Sequence, residues 1–254
     1  MGTRQRLKQF PESELLFSQV AATYIENWPA SLLKLSIPHR AIPLSVEERD
    51  ALLSGPLVTD PCTERKLDCL EARLGTALVD FPGGAFLRLG SRSAKDIGCA
   101  RVRTSRHAVL ALRRSQRIRQ DCELARIYNY LPSAFLREWR TIPPWAEFRG
   151  FMKQRKLVGL CSYHGKSGLA SPPSHLSLDV IEEALRTFFP RFAHSSHLES
   201  VVFDTYVHDS EVADDELAVT LIEINPFSPQ TDGVFFTWKT PDDFDGSFRG
   251  APND

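Results

Sequence analysis

The sequence predicts an α+β fold. Apolar segments of strand length alternate irregularly with segments of helical spacing along the 254 residues. Several strand segments are joined by short turns, which favours antiparallel pairs over a regular strand–helix–strand alternation. The composition, with 42% hydrophobic and 25% charged residues, is that of an ordinary soluble globular protein. A chain of this length fits one large domain or two intimate lobes.

Apolar spacing and capping residues locate the helices. An amphipathic helix is predicted over 12–27, before Trp28-Pro29. Ser45 and Glu48 form a capping-box pattern that begins a helix through Leu53. Further helices are predicted over 62–78, over 104–128 with Ser105 as the N-cap, and over 178–189 with Ser177 as the N-cap.

Strands are predicted where apolar or alternating runs lie between turn residues. The turn Pro82-Gly83-Gly84 leads into a strand over 85–89. The other predicted strands cover 134–139, 146–152, 157–163, 201–207 and 219–224, with residues 154–156 as a hairpin turn. The pattern divides the chain into a helical and mixed region (1–80), a central region (81–140), a C-terminal region (141–240) and a tail expected to be disordered (241–254).

The last two predicted strands carry polar residues in apolar surroundings. Glu223 and Asn225 lie two residues apart, so they face the same side of their strand, and a neighbouring strand brings Asp204 beside them. Three hard oxygen ligands on one face suit Mg²⁺, which completes its shell with phosphate oxygens and water. The alternative is a hairpin whose polar residues face solvent. The apolar content of both strands favours the metal site.

Basic residues that could bind phosphate lie on the strand over 85–89 and in the loop after it. Arg88 lies on this strand, and the loop after it carries Ser91, Arg92, Ser93 and Lys95. Arginine can bind two phosphate oxygens at once, whereas lysine acts as a point charge. The alternative for each basic residue is an ordinary surface charge.

Two other segments bear on the same hypothesis. Arg149, on the strand over 146–152, is a candidate for contact with a terminal phosphate. The loop over 165–174 is rich in glycine, serine and proline, and it is expected to be a mobile lid.

Several classes of protein are not supported by the sequence. It has neither a Walker-type loop nor a dinucleotide glycine fingerprint, and it lacks a G-x-S-x-G nucleophile elbow. The five cysteines lack metal-ligand spacing, which favours reduced thiols in a cytoplasmic protein. The sequence favours neither a membrane partner nor a nucleic-acid partner, because no apolar run approaches membrane-spanning length and the net charge is −1.

Short motifs follow one another in a specific order along most of the chain. They are Phe86-Leu87-Arg88-Leu89-Gly90-Ser91, Leu136-Arg137-Glu138-Trp139, Glu147-Phe148-Arg149, Phe203-Asp204-Thr205-Tyr206 and Ile222-Glu223-Ile224-Asn225-Pro226-Phe227, followed by Thr231-Asp232 and Phe236-Thr237-Trp238. In this order they resemble the D123 (cell division cycle 123) family. The resemblance extends from about residue 20 to Trp238.

The resemblance implies an ATP-grasp fold, in which two α+β lobes with mainly antiparallel sheets enclose ATP and Mg²⁺. It implies Asp204, Glu223 and Asn225 as metal ligands, and it implies nucleotide-binding roles for Arg88, Leu136, Arg137, Glu138, Trp139 and Arg149. The loop residues Ser91, Arg92 and Ser93 join this nucleotide-binding set by their phosphate-binding chemistry, and Arg149 and Lys95 are the candidate catalytic residues.

This sequence departs from the family pattern at three points. Arg88 stands in place of a lysine, Glu223 stands in place of an aspartate, and the turn between Asp204 and Glu223 is longer. The acidic insertion typical of eukaryotic members is also missing, which favours a bacterial or viral relative.

Two functions follow from the resemblance. The first is a ligase-like enzyme that couples a carboxylate to an amine through an acyl phosphate, with amino acids or peptides as substrates. The alternative is an ATP-dependent assembly chaperone or binding factor for a protein partner such as a translation initiation factor.

Overall fold

A computed structural model of the chain describes residues 15–55, 60–98, 100–164, 171–209 and 217–250. These residues form two compact units. The N-terminal unit contains 24–26 and 38–140, and the C-terminal unit contains the residues through Thr23, 27–37 and those from Thr141 onward. The structure thus groups 38–80 with the predicted central region and not with the residues that precede it.

Seven helices and nine strands make up the regular structure of the described residues. The helices are α1 (Phe17–Ala21), α2 (Ala30–Leu33), α3 (Val46–Leu53), α4 (Pro61–Leu78), α5 (Ser105–Arg114), α6 (Gln116–Ile127) and α7 (Leu178–Ser195). The strands are β1 (His39–Pro43), β2 (Ala85–Leu89), β3 (Arg101–Val102), β4 (Ser133–Glu138), β5 (Glu147–Lys153), β6 (Lys156–Ser162), β7 (Val201–Val207), β8 (Val219–Pro226) and β9 (Phe248–Arg249). Two mainly antiparallel sheets with separate helices confirm the predicted α+β class.

The N-terminal unit is built on an antiparallel sheet with the strand order β1-β4-β2-β3. Alternate residues of each strand face the helices α3 to α6. Leu87 and Leu89 of β2 and Leu136 of β4 are fully buried in the core that these helices share. The side chains between them, such as Arg88, lie on the opposite face of the sheet.

The predicted start of α3 is confirmed. Helix α4 begins at Pro61, one residue before its predicted start. The hydroxyl of Ser45 accepts a hydrogen bond from the amide of Glu48, and the Glu48 carboxylate accepts one from the amide of Ser45. This is the reciprocal capping box that the sequence predicted. Asp60 caps α4 by accepting from the amides of Cys62 and Thr63.

The single helix predicted over 104–128 is wrong, because the chain forms two helices that meet at Ser115. Ser115 has an extended backbone, and its hydroxyl caps α6 by accepting from the amide of Ile118. Asp96 holds this break, since its carboxylate accepts from the Ser115 hydroxyl at 2.6 Å and from the Gln116 amide at 2.7 Å. The N-cap of α5 is Thr104 and not Ser105.

The C-terminal unit contains a five-stranded sheet in the order β8-β7-β5-β6-β9. All neighbours are antiparallel except β6 and β9. Helix α7 packs on one face, where the rings of Phe192 and Phe203 have centroids 4.3 Å apart. An aromatic cluster that includes Phe151, Phe236 and Phe244 packs against the other face.

Two predicted helix lengths require correction. Helix α7 continues through Pro190 to Ser195, beyond the predicted end at 189, because the packing of Phe192 stabilises its last turns. The helix predicted over 12–27 is limited to Phe17–Ala21 in the part that the structure describes, followed by a short 3₁₀ turn at Ile25–Asn27. No helix among the described residues is both long and apolar enough to span a bilayer.

The disorder expected for 241–254 is also corrected where the structure describes this segment, up to residue 250. Pro241–Asp243 forms a 3₁₀ turn, and β9 pairs with β6. Arg249 fixes the segment by donating to the Asp243 carboxylate at 2.8 Å, with its guanidinium 3.9 Å from the centroid of the Phe236 ring. The contacts of Arg249 and the parallel pairing of β9 with β6 thus hold this polar segment in place.

A close contact between Glu26 and Gly90 organises the N-terminal unit. The Glu26 carboxylate accepts hydrogen bonds from the Tyr130 hydroxyl at 3.0 Å and from the Ser133 amide at 3.3 Å. Burial raises the pKa of this carboxyl above its ordinary value. A Cβ atom at Gly90 would lie 1.4 Å from Glu26 Oε2, so position 90 accommodates glycine alone unless Glu26 moves.

We predict that Gly90→Ala lowers the free energy of unfolding by about 1–3 kcal/mol, the usual cost of forcing extra atoms into a packed site. Urea denaturation provides the measurement. Adding Glu26→Ala to Gly90→Ala should restore part of the loss, since the two residues collide directly. Gly75→Ala is the matched control, because the nearest atom to its new Cβ lies 3.6 Å away. A Gly90→Ala protein as stable as the wild type contradicts the prediction.

Candidate functional site

A buried ion pair joins the two strands β5 and β7. Arg149 lies directly opposite Asp204 in the antiparallel register. Its Nε donates to Asp204 Oδ1 at 2.7 Å, and its Nη2 donates to Oδ2 at 2.8 Å. Both residues are almost fully buried, with 5% and 1% of their surface exposed. Two parallel charge-assisted hydrogen bonds fix the orientation of both side chains.

Two further contacts hold the Arg149 guanidinium. Its Nη1 donates to the backbone carbonyl of Asp232 at 2.7 Å, and its plane lies 4.8 Å from the centroid of the Tyr163 ring. A guanidinium carries five N–H donors. The contacts with described residues use three of them, so two are available to a ligand.

The structure places Glu223 and Asn225 beside Asp204, as the sequence predicted. Glu223 pairs with Asp204, and Asn225 pairs with Val202, so all three polar side chains share one face of the sheet. The Asn225 amide donates to the Glu223 carboxylate at 3.4 Å. A shift of register after Asp204 forms a β-bulge, a feature that re-aims side chains near functional sites. Their role as metal ligands remains a prediction.

The site carries an excess of negative charge. Burial raises the pKa of Asp204 to about 6; Arg149 opposes this rise, and the carboxylates of Glu223 and Glu147 add to it. Three carboxylates face one guanidinium, and His164 forms a 2.9 Å contact with Glu147. This imbalance favours binding of a cation.

A metal ion at this site would need ligands other than the protein's own acidic side chains. Among the described residues, no group of three or more His, Cys, Asp or Glu is placed so that it could hold a metal ion. Mg²⁺ needs only one or two protein carboxylates when phosphates and water supply the remaining ligands. Glu223 and Asn225 would hold such an ion. Asp204 is bound to Arg149, but each carboxylate oxygen retains a further lone pair.

The predicted phosphate-binding residues of the N-terminal unit are engaged in local contacts. Arg88 is 2% exposed, and its guanidinium donates to the backbone carbonyls of Leu89 and Ser91. The Ser91 hydroxyl donates to the carboxylate of Asp121 at 2.5 Å, and Arg92 donates to the same carboxylate at 2.9 Å. Asp121, which the sequence reasoning missed, therefore organises this loop. The signal in the sequence that could have identified Asp121 is the presence of an acidic residue on the apolar face of α6.

The remaining predicted nucleotide-binding residues differ in exposure. Lys95 is exposed, Leu136 lies in the core, and Arg137 is 1% exposed. Glu138 forms an ion pair with Arg140, and the guanidinium of Arg101 lies 5.0 Å from the Trp139 ring. The Ser93 carbonyl accepts a hydrogen bond from Arg117. Their nucleotide-binding roles stay predictions.

Two sequence predictions fall partly outside the described residues. Residues 165–170 of the proposed lid lie there, and so do residues 210–216 of the longer turn between Asp204 and Glu223. Glu147, Tyr163 and His164 are additional members of the site. In the sequence, Glu147 appeared only within the family motif, and the contact between Glu147 and His164 could not be foreseen because it depends on the β5–β6 pairing.

The family model described as D123 matches residues 101–245, more than half of the chain. This chain belongs to the D123 family. The matched region contains Arg149, Asp204, Glu223 and Asn225, so the polar face of the C-terminal sheet lies within the part of the chain that defines the family.

Curated relatives cover different shares of this D123 protein. Cell division cycle protein 123 of Eremothecium gossypii is 33% identical over 41% of the chain, and the match spans about a quarter (27%) of that protein. A Xenopus laevis protein named "Translation initiation factor eIF2 assembly protein" is 24% identical over 87% of the chain and 77% of its own length.

The solved structure of Cdc123 from Schizosaccharomyces pombe has the same fold as this D123 protein. The TM-score is 0.72, with 21% identity, and the alignment covers 94% of this chain and 98% of the other. The likeness confirms the α+β architecture with two units that the family resemblance predicted.

We predict that Arg149→Ala destabilises the protein by about 3–5 kcal/mol, because it leaves the Asp204 charge buried without a partner. Arg149→Met combined with Asp204→Leu should recover most of this loss, since apolar residues of similar volume remove the buried charge. Thermal and urea unfolding measure both effects. The control is Arg40→Ala, whose exposed ion pair with Asp80 should contribute less than about 1 kcal/mol. Equal losses for Arg149→Ala and Arg40→Ala contradict the prediction.

Proposed function

We propose that this D123 protein binds Mg-ATP on the polar face of its C-terminal sheet and acts as an ATP-dependent assembly factor for a protein partner of the eIF2 type. The observation that carries the nucleotide site is the buried Arg149–Asp204 pair with Glu223 and Asn225 on the same face. The names of its relatives support the assembly role.

The arrangement supports a phosphate-bearing ligand in two ways. Two donors of Arg149 have no partner among the described residues, and they can receive phosphate oxygens. Tyr163 and the Asp232 carbonyl keep the guanidinium in place, so little side-chain entropy is lost when the ligand binds.

The excess of carboxylates supports the accompanying metal ion. Glu223 and Asn225 would bind Mg²⁺, and Asp204 would add negative charge behind them. When bound, Mg²⁺ would neutralise part of the negative charge of the phosphates. The hydrogen bonds and charge of Arg149 favour the carboxylate form of Asp204 and oppose the effect of its burial.

Assembly of a protein partner is better supported than the ligase-like coupling of a carboxylate to an amine. Relatives from Xenopus laevis and Xenopus tropicalis that match 87% of this chain are named as eIF2 assembly proteins. The catalytic roles of Arg149 and Lys95 belong to the ligase hypothesis, which the names of these relatives do not support.

We predict that Glu223→Gln and Asn225→Ala each weaken Mg²⁺-dependent ATP binding about tenfold or more, while the protein stays folded. Changes around a metal typically reduce its affinity by about 10–100-fold. Calorimetric titration with ATP, with and without Mg²⁺, provides the measurement. Glu199→Gln, an exposed carboxylate outside the site, is the control and should bind as the wild type does. Unchanged affinity in both site variants contradicts the metal assignment.

We also expect binding to purified eIF2 polypeptides to strengthen when Mg-ATP is present, because the nucleotide stabilises the folded site. Affinity measured with ATP and Mg²⁺, and again with EDTA, tests this coupling. Glu223→Gln should bind the polypeptides with the weaker affinity under both conditions. If nucleotide binding is intact but no eIF2 polypeptide binds, the assembly role is wrong and the nucleotide site stands.

A further inference from the structure

A groove of about 740 Å³ lies in the C-terminal unit, between α7 and the beginning of β8. Its helical wall is the stripe formed by Val180, Ala184 and Phe188, which recur at every fourth residue and so share one side of α7. The facing wall is Leu217 to Val219. None of the residues proposed for the nucleotide site lines this groove.

Val180 is the large exposed apolar residue that lines the groove. Its side chain is 47% exposed on a helix whose other apolar anchors, such as Ile181 and Leu185, are buried. An exposed valine next to a concave apolar surface gives a partner a place to bury apolar area. Such a groove suits a peptide segment better than it suits a charged cofactor.

Charges of opposite sign mark the two ends of the groove. Asp179 and Glu183 lie one turn apart in the first half of α7. Arg191 lies near the other end, about 18 Å from Asp179 and about 12 Å from Glu183 along the helix axis. Among the described residues, the ion pair that α7 forms joins Glu182 to Arg186 on another side of the helix. The three groove charges therefore have no described ionic partner.

The facing wall also offers backbone groups. Strand β8 is at the edge of its sheet, and the His208 amide donates to the Ala218 carbonyl. In an antiparallel ladder the next residue, Val219, then directs its own amide and carbonyl away from β7. On the same side, the Leu221 amide donates to the Leu35 carbonyl, so the protein's own chain pairs with this edge at Leu221, two residues beyond Val219.

We propose that this groove is the docking site for an extended segment of the protein partner. The segment is apolar in its middle, basic at the end near Asp179 and Glu183, and acidic at the end near Arg191. A span of about 18 Å corresponds to roughly five extended residues. The identity of the partner rests on the proposed function, while the groove and its charges are independent of nucleotide binding.

The test compares two valine-to-glutamate variants of the full chain. Val180→Glu places a charge in the apolar stripe, and it should weaken binding to purified eIF2 polypeptides about tenfold or more. Val79→Glu, at a 78% exposed valine of the N-terminal unit, should bind as the wild type does. Both variants should keep wild-type affinity for Mg-ATP in parallel calorimetry.

Charge reversal tests the polarity of the groove. Asp179→Lys combined with Glu183→Lys should weaken binding, and the difference from wild type should shrink at high salt because the interaction is ionic. Equal affinity of wild type, Val180→Glu and the double reversal for the eIF2 polypeptides overturns the groove but leaves the assembly role intact. If the wild type binds no eIF2 polypeptide, the assembly role and the docking groove are both wrong.

Two further outcomes would assign the groove to another occupant. A large loss of thermal stability in isolated Val180→Glu means that the chain covers the groove itself. Self-association of the wild type that disappears in Val180→Glu, measured by analytical ultracentrifugation, means that a second copy binds there. Either result overturns docking of a separate partner.

Discussion

The buried pair of Arg149 and Asp204 is the interaction on which the C-terminal unit depends. Removing two charges from water costs several kcal/mol per ion, and only good geometry with additional hydrogen bonds offsets that cost. The two charge-assisted bonds, the Asp232 carbonyl and the Tyr163 ring supply this geometry. The pair also requires β5 and β7 to be neighbours in one register, since a slip of one strand by one residue would put Arg149 and Asp204 on opposite faces of the sheet.

The same two strands show a different constraint on their other face. Gly150 and Phe203 are the next pair in the register, and a Cβ at Gly150 would lie 2.1 Å from the Phe203 ring. The ring occupies the space of the missing side chain and packs against Phe192 of α7. The polar site and the aromatic core therefore lie on opposite faces of the same two strands. This packing fixes the two strands that carry the polar face.

In the N-terminal unit, polar clusters are also held by carboxylates that accept several hydrogen bonds. Asp121 receives Ser91 and Arg92, and Asp96 receives Ser115 and the start of α6. Each carboxylate satisfies several donors at once, and for Asp121, which is buried, these hydrogen bonds offset the cost of its burial. These contacts position the loop after β2, whose basic residues the family resemblance associates with nucleotide binding.

The sequence by itself determined the α+β class, most of the strands, the capping box at Ser45 and the juxtaposition of Asp204 with Glu223 and Asn225. These features depend on local spacing, on capping chemistry and on alternation along a strand, all of which are written in neighbouring residues. The tertiary structure decided the break at Ser115, the ordered segment after Trp238 and the bonding of Arg149 to Asp204. Each of these depends on a partner distant in sequence: Asp96 for the break, β6 for the final strand, and a residue 55 positions away for the ion pair. No local pattern encodes such a partner, because the free energy that selects it arises only when the strands and helices have packed.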